Sequence, residues 1–217
     1  MGDSITEGQY VDHQHRWSEL VSRKIREIFS PRLEPDALHF FNRGISNETT
    51  RQGLERFPRD VQVLKPSIIT IQFGLNDCNC WETDNGLPRV SEKAYEANLT
   101  EMVQRAKTFG AEKIILSTNH PTLRHKILAS GKTLEEGRKI YNQIIREVAS
   151  SEQVTLCDME LAFKDVESGN LSQMLLPEPD LLHLSIDGHK KYAAVILEYI
   201  ERALDIITTK NRGPKSG

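Results

Sequence analysis

The chain has 217 residues, 38% of them apolar and 27% charged, which is the composition of a folded globular protein of one domain or a tight pair. Lysine and arginine (28) nearly balance aspartate and glutamate (31), so nothing favours a partner held by charge, whether nucleic acid or an anionic membrane. The most apolar stretch, Tyr192 to Ile207, is broken by Glu198, Glu201, Arg202 and Asp205, which excludes a helical membrane span. Three cysteines are too few for a disulfide framework, so a reducing compartment, the cytoplasm, is expected.

In chain order, Trp17, Leu20, Val21, Ile25, Ile28 and Phe29 recur at helical spacing, and Pro31 and Pro35 close that helix. Leu38–Phe41 reads as a short strand ending at Arg43-Gly44. Thr49 or Thr50 caps a helix bearing Leu54, Phe57, Val61 and Leu64, which Pro58 splits in two. Ser67–Phe73 is apolar on both faces and β-branched, as a buried parallel strand requires. A polar loop, Asp77–Val90, then leads to a helix from about Ser91 to Gly110. Lys113–Thr118 is the next strand, and Thr133 with Glu136 forms a capping box that opens a helix through Val148. Val154–Cys157 is a brief strand, and a last helix spans about Ser185 to Thr208. The expected organisation is one α/β domain, residues 1–208, with a mostly parallel sheet and a disordered tail, 209–217. The alternation starts on a helix, with no strand in front of it.

Ligands of open parallel sheets bind beyond the carboxyl ends of the strands. The polar residues there are Gly2-Asp3-Ser4, Asn42-Arg43-Gly44, Gly74-Leu75-Asn76-Asp77, Asn119-His120 and, before the last helix, Asp180 and His183. These are the parts of an acyl-transfer site. A serine at a helix N-terminus sits where negative charge is favoured, but its hydroxyl needs a base. Asp180 stands three residues before His183, close enough to fix the imidazole tautomer. Gly44 leaves room for an oxyanion, and the Asn76 amide offers a further donor.

On these residues the chain resembles the SGNH hydrolases, the GDSL esterase/lipase family. GDSITEG at residues 2–8 matches the first block, Gly44 in NRGIS the second, Asn76 in GLND the third, and Asp180 and His183 in DLLHLSIDGH the last. The four motifs fall in order over nearly the whole chain. The resemblance implies a three-layer α/β/α, flavodoxin-like fold and a serine esterase acting on a small or medium ester, with no cofactor and no metal. Ser4 would be the nucleophile, His183 the base and Asp180 its orienting acid. The N–H groups of Ser4 and Gly44 with the Asn76 amide would form the oxyanion hole.

The family's first strand is central, between the second and third. Five apolar side chains there would contribute roughly 8–15 kcal/mol, so the chain is expected to lack an N-terminal strand of about five to ten residues. A ligand-binding protein or an impaired fragment is the competing reading.

Other residues have alternatives. His189, after Asp187, competes with His183 but suits a packing role. Trp81 could cover the acyl group, stack on a sugar or anchor its own loop. His120 could line the pocket or bond to backbone. Cys78 and Cys80 form too sparse a pair for a metal site, and Asp3 and Asp77 read as structural hydrogen-bonders. No phosphate-loop lysine or G-x-S-x-G elbow is present, which disfavours nucleotide binding and the α/β-hydrolase fold. Met-Gly-x-x-x-Thr also fits a myristoylation pattern, though the hydrolase block accounts for the same residues.

Overall fold

A computed structural model of the chain describes residues 1–34, 36–128, 130–164 and 170–211. Among the described residues the sheet has three parallel strands, β1 (Ile68–Ile71), β2 (Lys113–Ser117) and β3 (Thr155–Cys157), in the order β1-β2-β3. Ile69 faces Ile114 across β1 and β2, and Leu116 faces Leu156 across β2 and β3. The helices are α1 (Ser4–Glu7), α2 (Trp17–Phe29), α3 (Thr50–Phe57), α4 (Glu92–Thr108), α5 (Leu134–Ser151), α6 (Met159–Lys164), α7 (Leu171–Met174) and α8 (Ile186–Asn211). Helices α3, α4 and α5 pack in succession on one side, and α2 against α8 on the other. Crossovers through helices put apolar layers on both faces of a parallel sheet, hence the buried run Ile114–Ser117 in β2, while β1 at its side alternates, with Ile69 and Ile71 buried and Ile68 and Thr70 half-buried.

Helices α6 and α7 have no counterpart among the expected elements, and two expected elements differ from the structure. Leu38–Phe41 makes no strand pairing. Among the described residues, Met1 and Gly2 lie between the 43–45 segment that follows it and β1: Gly2 bridges in parallel to both Gly44 and Gln72, the Met1 amine donates to Thr70 O (3.0 Å), and the Ile45 N–H to Gly2 O (3.0 Å). A strand exists only through its partner, and residues 38–41 have no partner there. The chain segments thus follow the spatial order of a flavodoxin-like sheet, with residues 1–2 between the 43–45 segment and β1. The second departure is α8, which runs to Asn211, three residues past the expected end, so 209–211 are helical. Residues 212–217 of the expected tail lie outside the described residues.

Pro58 acts as anticipated on its own helix: α3 stops at Phe57, and one π-helical turn, Pro58–Gln62, carries the chain onward. The Thr133–Glu136 capping box is formed in both directions, and at α3 Gln52 Oε1 accepts from the Thr49 N–H (2.9 Å).

Candidate active site

Ser4 begins α1, a single turn closed by Gly8 in the left-handed region (φ 76°), whose N–H returns to Ser4 O (3.0 Å). Asp3 caps the turn: its Oδ1 accepts from the Ile5 N–H (3.0 Å) and its Oδ2 from Gln72 Nε2 (3.4 Å). Further bonds hold α1 from both sides: Trp17 Nε1 donates to Ile5 O (2.9 Å) and Asn42 Nδ2 to Thr6 O (2.7 Å). The nucleophile candidate therefore sits on a turn with little freedom. Burial of Asp3 pushes its carboxyl up to about 7, against the opposing Ile5 hydrogen bond.

The loop before α8 delivers the partners. His183 Nδ1 lies 2.8 Å from Asp180 Oδ2, and Nε2 lies 3.0 Å from Ser4 Oγ. A carboxylate can only accept, so the proton is assigned to Nδ1 and Nε2 is left to accept from the serine hydroxyl. Asp180 Oδ1 accepts the backbone N–H groups of Leu182 (3.0 Å) and His183 (2.6 Å). Burial raises the Asp180 carboxyl, but the bonds from the His183 N–H and ring and the Leu182 N–H outweigh it and hold it below the usual range. His189 lies elsewhere, accepting the Trp17 N–H at Nδ1 (3.2 Å), and burial draws it down to about 4. Of the two candidate histidines, the tertiary structure brings only His183 to Ser4.

Gly44 lies against α1. A Cβ there would fall 2.1 Å from the Glu7 backbone nitrogen, so the missing side chain is what lets the 42–46 loop rest on α1. The loop is tied down further by Glu7, whose carboxylate accepts from the Ser46 N–H (2.6 Å) and hydroxyl. The Gly44 N–H itself donates to Asn42 Oδ1 (2.8 Å). Asn76 Nδ2 gives one proton to Glu48 O (2.9 Å) and keeps a second.

His120 is a correction. It is 1% exposed and does not line a pocket; Nε2 donates to Leu182 O (2.9 Å), supporting the Asp180–His183 loop from behind. Burial lowers it to about 4, so it is neutral. Trp81 is half exposed, with the Arg89 guanidinium 4.4 Å from its ring centroid. Asp77 accepts from the Thr50 N–H (2.9 Å) and hydroxyl, a structural role. Cys78 and Cys80 are free and buried, and burial pushes both thiols up, away from the thiolate a metal would need.

Two neighbours escaped the sequence reading. Tyr10, 66% exposed, sets its ring edge-on to His183 with centroids 5.1 Å apart. Only its place just past the GDSITEG block hinted at this. Arg124 binds Asp180 from 56 residues away in sequence, and no local pattern signals that.

The GDSL-like lipase/acylhydrolase family matches residues 1–191, and the chain belongs to that family, which makes it a carboxylic ester hydrolase of the SGNH type. Among its relatives, an acetylxylan esterase of Geobacillus stearothermophilus is 28% identical over 73% of this chain and 70% of its own. The Bacillus subtilis lipoprotein YqeF is 25% identical over 83% of this chain and 77% of its own. The crystal structure of a lipase/acylhydrolase from Enterococcus faecalis superposes with a TM-score of 0.70 at 25% identity, covering 92% of both chains. No helix among the described residues is long and apolar enough to cross a membrane.

Proposed function

We propose that the chain is a serine esterase that hydrolyses small or medium carboxylic esters through an acyl-enzyme on Ser4. The observation carrying this reading is the line Ser4 Oγ–His183–Asp180, with separations of 3.0 and 2.8 Å. Nε2 of His183 takes the hydroxyl proton as Oγ attacks the carbonyl carbon, then returns it to the leaving alcohol. A water attacks the acyl-enzyme by the same route in reverse. The oxyanion is assigned to the Ser4 N–H, the Gly44 N–H and the free proton of Asn76 Nδ2. Exposed aromatic rings at Tyr10 and Trp81, with the acetylxylan esterase among the relatives, favour a polar, sugar-like alcohol side. Free, buried cysteines favour a reducing compartment, the cytoplasm.

One observation favours the competing, ligand-binding reading: the Gly44 N–H is already engaged by Asn42. Turnover of p-nitrophenyl acetate separates the two. The enzyme reading expects fluorophosphonate to label the protein at Ser4, and Ser4→Ala and His183→Ala each to lose roughly 10⁴–10⁶ in kcat. Absence of Ser4-dependent turnover on any short ester, with no labelling, leaves the binding reading standing.

A further inference from the structure

We propose that Arg124 is a positioning residue for the esterase reaction, clamping Asp180 so that its carboxylate presents one oxygen to the His183 ring. The inference rests on the Ser4–His183–Asp180 reading above and extends it to a residue outside the family blocks. Arg124 Nε donates to the Asp180 backbone carbonyl (2.6 Å) and Nη2 to Asp180 Oδ2 (2.9 Å). That Oδ2 is the same oxygen that accepts from His183 Nδ1 at 2.8 Å.

The carboxylate is thereby filled on both sides. Two backbone N–H groups hold Oδ1, but they come from Leu182 and His183, on the same loop as Asp180 itself, and move with it. Arg124 is the contact that ties both the backbone and the carboxylate of Asp180 to a different part of the chain. A guanidinium suits this because its N–H groups form a rigid planar fork that can meet a carbonyl and a carboxylate together.

Its own segment is anchored beside the loop. Thr122 Oγ1 (2.8 Å) and the Leu123 N–H (2.9 Å) both donate to Leu181 O. Leu181 takes φ +52°, a conformation that a β-carbon disfavours and that persists where neighbours over-determine it. Residues 122–124 thus act as a strap across the turn that aims Asp180 and His183. The side chains of Asp180 and Arg124 are 20% and 33% exposed, so water would replace a lost guanidinium and the carboxylate would turn more freely. An ion pair this exposed adds little to stability. Its consequence lies in aim, because a small misplacement of a catalytic group can cost 10²-fold in rate.

The test is steady-state p-nitrophenyl acetate kinetics on the full chain, with fluorophosphonate labelling in parallel. Arg124→Ala is expected to lower kcat roughly 10–100-fold with KM within about twofold. Arg124→Lys, which can reach one acceptor but not both, should fall between them. Guanidinium ion, at concentrations that leave the melting temperature unchanged, should raise kcat of Arg124→Ala severalfold and leave the wild type unaffected. If Arg124→Ala melts early, the Arg124→Lys kinetics decide, since a retained fold with reduced kcat supports positioning. An Arg124→Ala protein that keeps kcat within about twofold overturns the inference while leaving the esterase intact. A wild type that fluorophosphonate cannot label overturns the esterase reading and the inference together.

Discussion

Asp3 stands next to the nucleophile candidate as a fully buried carboxyl, and burial raises it to about 7. An aspartate raised in the folded state favours folding in its neutral form. The folded protein therefore loses stability as pH climbs from about 4, where the unfolded side chain ionises, to about 7, and keeps the deficit above that. The full difference is on the order of 4 kcal/mol. Asp3→Asn carries no charge at any pH, so its stability relative to wild type should rise by about 2–3 kcal/mol between pH 5 and pH 8. Urea unfolding of both proteins across that range checks this, because groups that Asp3 does not influence cancel in the difference, while the like-charge repulsion between Asp77 and Asp3 belongs to the effect being read. A difference that stays flat with pH would count against an ionising Asp3. That Asp3 is structural could be read from its place before a one-turn helix. Its burial could not, because that depends on Gln72, 69 residues away.

Among the elements, the 78–90 loop is held by contacts that its polar sequence does not announce. Arg89 reaches Asn47 twice, Nη1 to Oδ1 (3.0 Å) and Nη2 to the carbonyl (2.9 Å). Lys126 Nζ donates to Asn79 Oδ1 (2.7 Å), and the Tyr141 hydroxyl donates to Val90 O. The loop is pinned to three separate parts of the chain and forms a fixed wall. Arg89→Ala removes the Asn47 bonds and the cation over Trp81. Acrylamide quenching of tryptophan fluorescence should increase, since the other tryptophan, Trp17, is buried. The melting temperature should drop only slightly, as expected for contacts worth about 1 kcal/mol or less. Unchanged quenching would show that the loop holds without Arg89. Helices with their own local signals, such as the Thr133–Glu136 capping box of α5, were legible in sequence. The Leu38–Phe41 segment was not, because strand pairing is decided by what lies alongside.

Across the whole molecule a buried polar chain runs from the Ser4 turn to the far side of the sheet. Gln72 Nε2 donates to Asn119 Oδ1 (2.8 Å), Asn119 Nδ2 to Asn142 Oδ1 (3.1 Å), and Asn142 Nδ2 to Glu160 Oε2 (3.3 Å). Arg138, 1% exposed, closes it by donating to Asn119 O (2.8 Å) and Glu160 Oε1 (3.0 Å) and pairing with Glu135. Such a network specifies one arrangement only while every member is satisfied. Arg138→Met fills similar volume but leaves the carboxylates short of a buried cation, at a cost of about 3–5 kcal/mol. For a chain of this size that corresponds to a fall of roughly 10 °C in melting temperature. Calorimetry reads it directly, and a fall below about 2 °C would show that Arg146, which also bonds Glu160, suffices alone.

The amino-acid sequence by itself determined the class of fold and the chemical parts of the site. Apolar periodicity and capping are local, and the four family blocks name Ser4, Gly44, Asn76, Asp180 and His183 wherever they end up in space. Only the tertiary structure decided which histidine meets Ser4, and it sent His120 behind the loop rather than into the pocket. It also placed Gly44 against α1 for want of a Cβ and brought Arg124 onto Asp180. Each of these depends on contacts between residues far apart in the chain, and nothing in a local pattern records a distance of that kind.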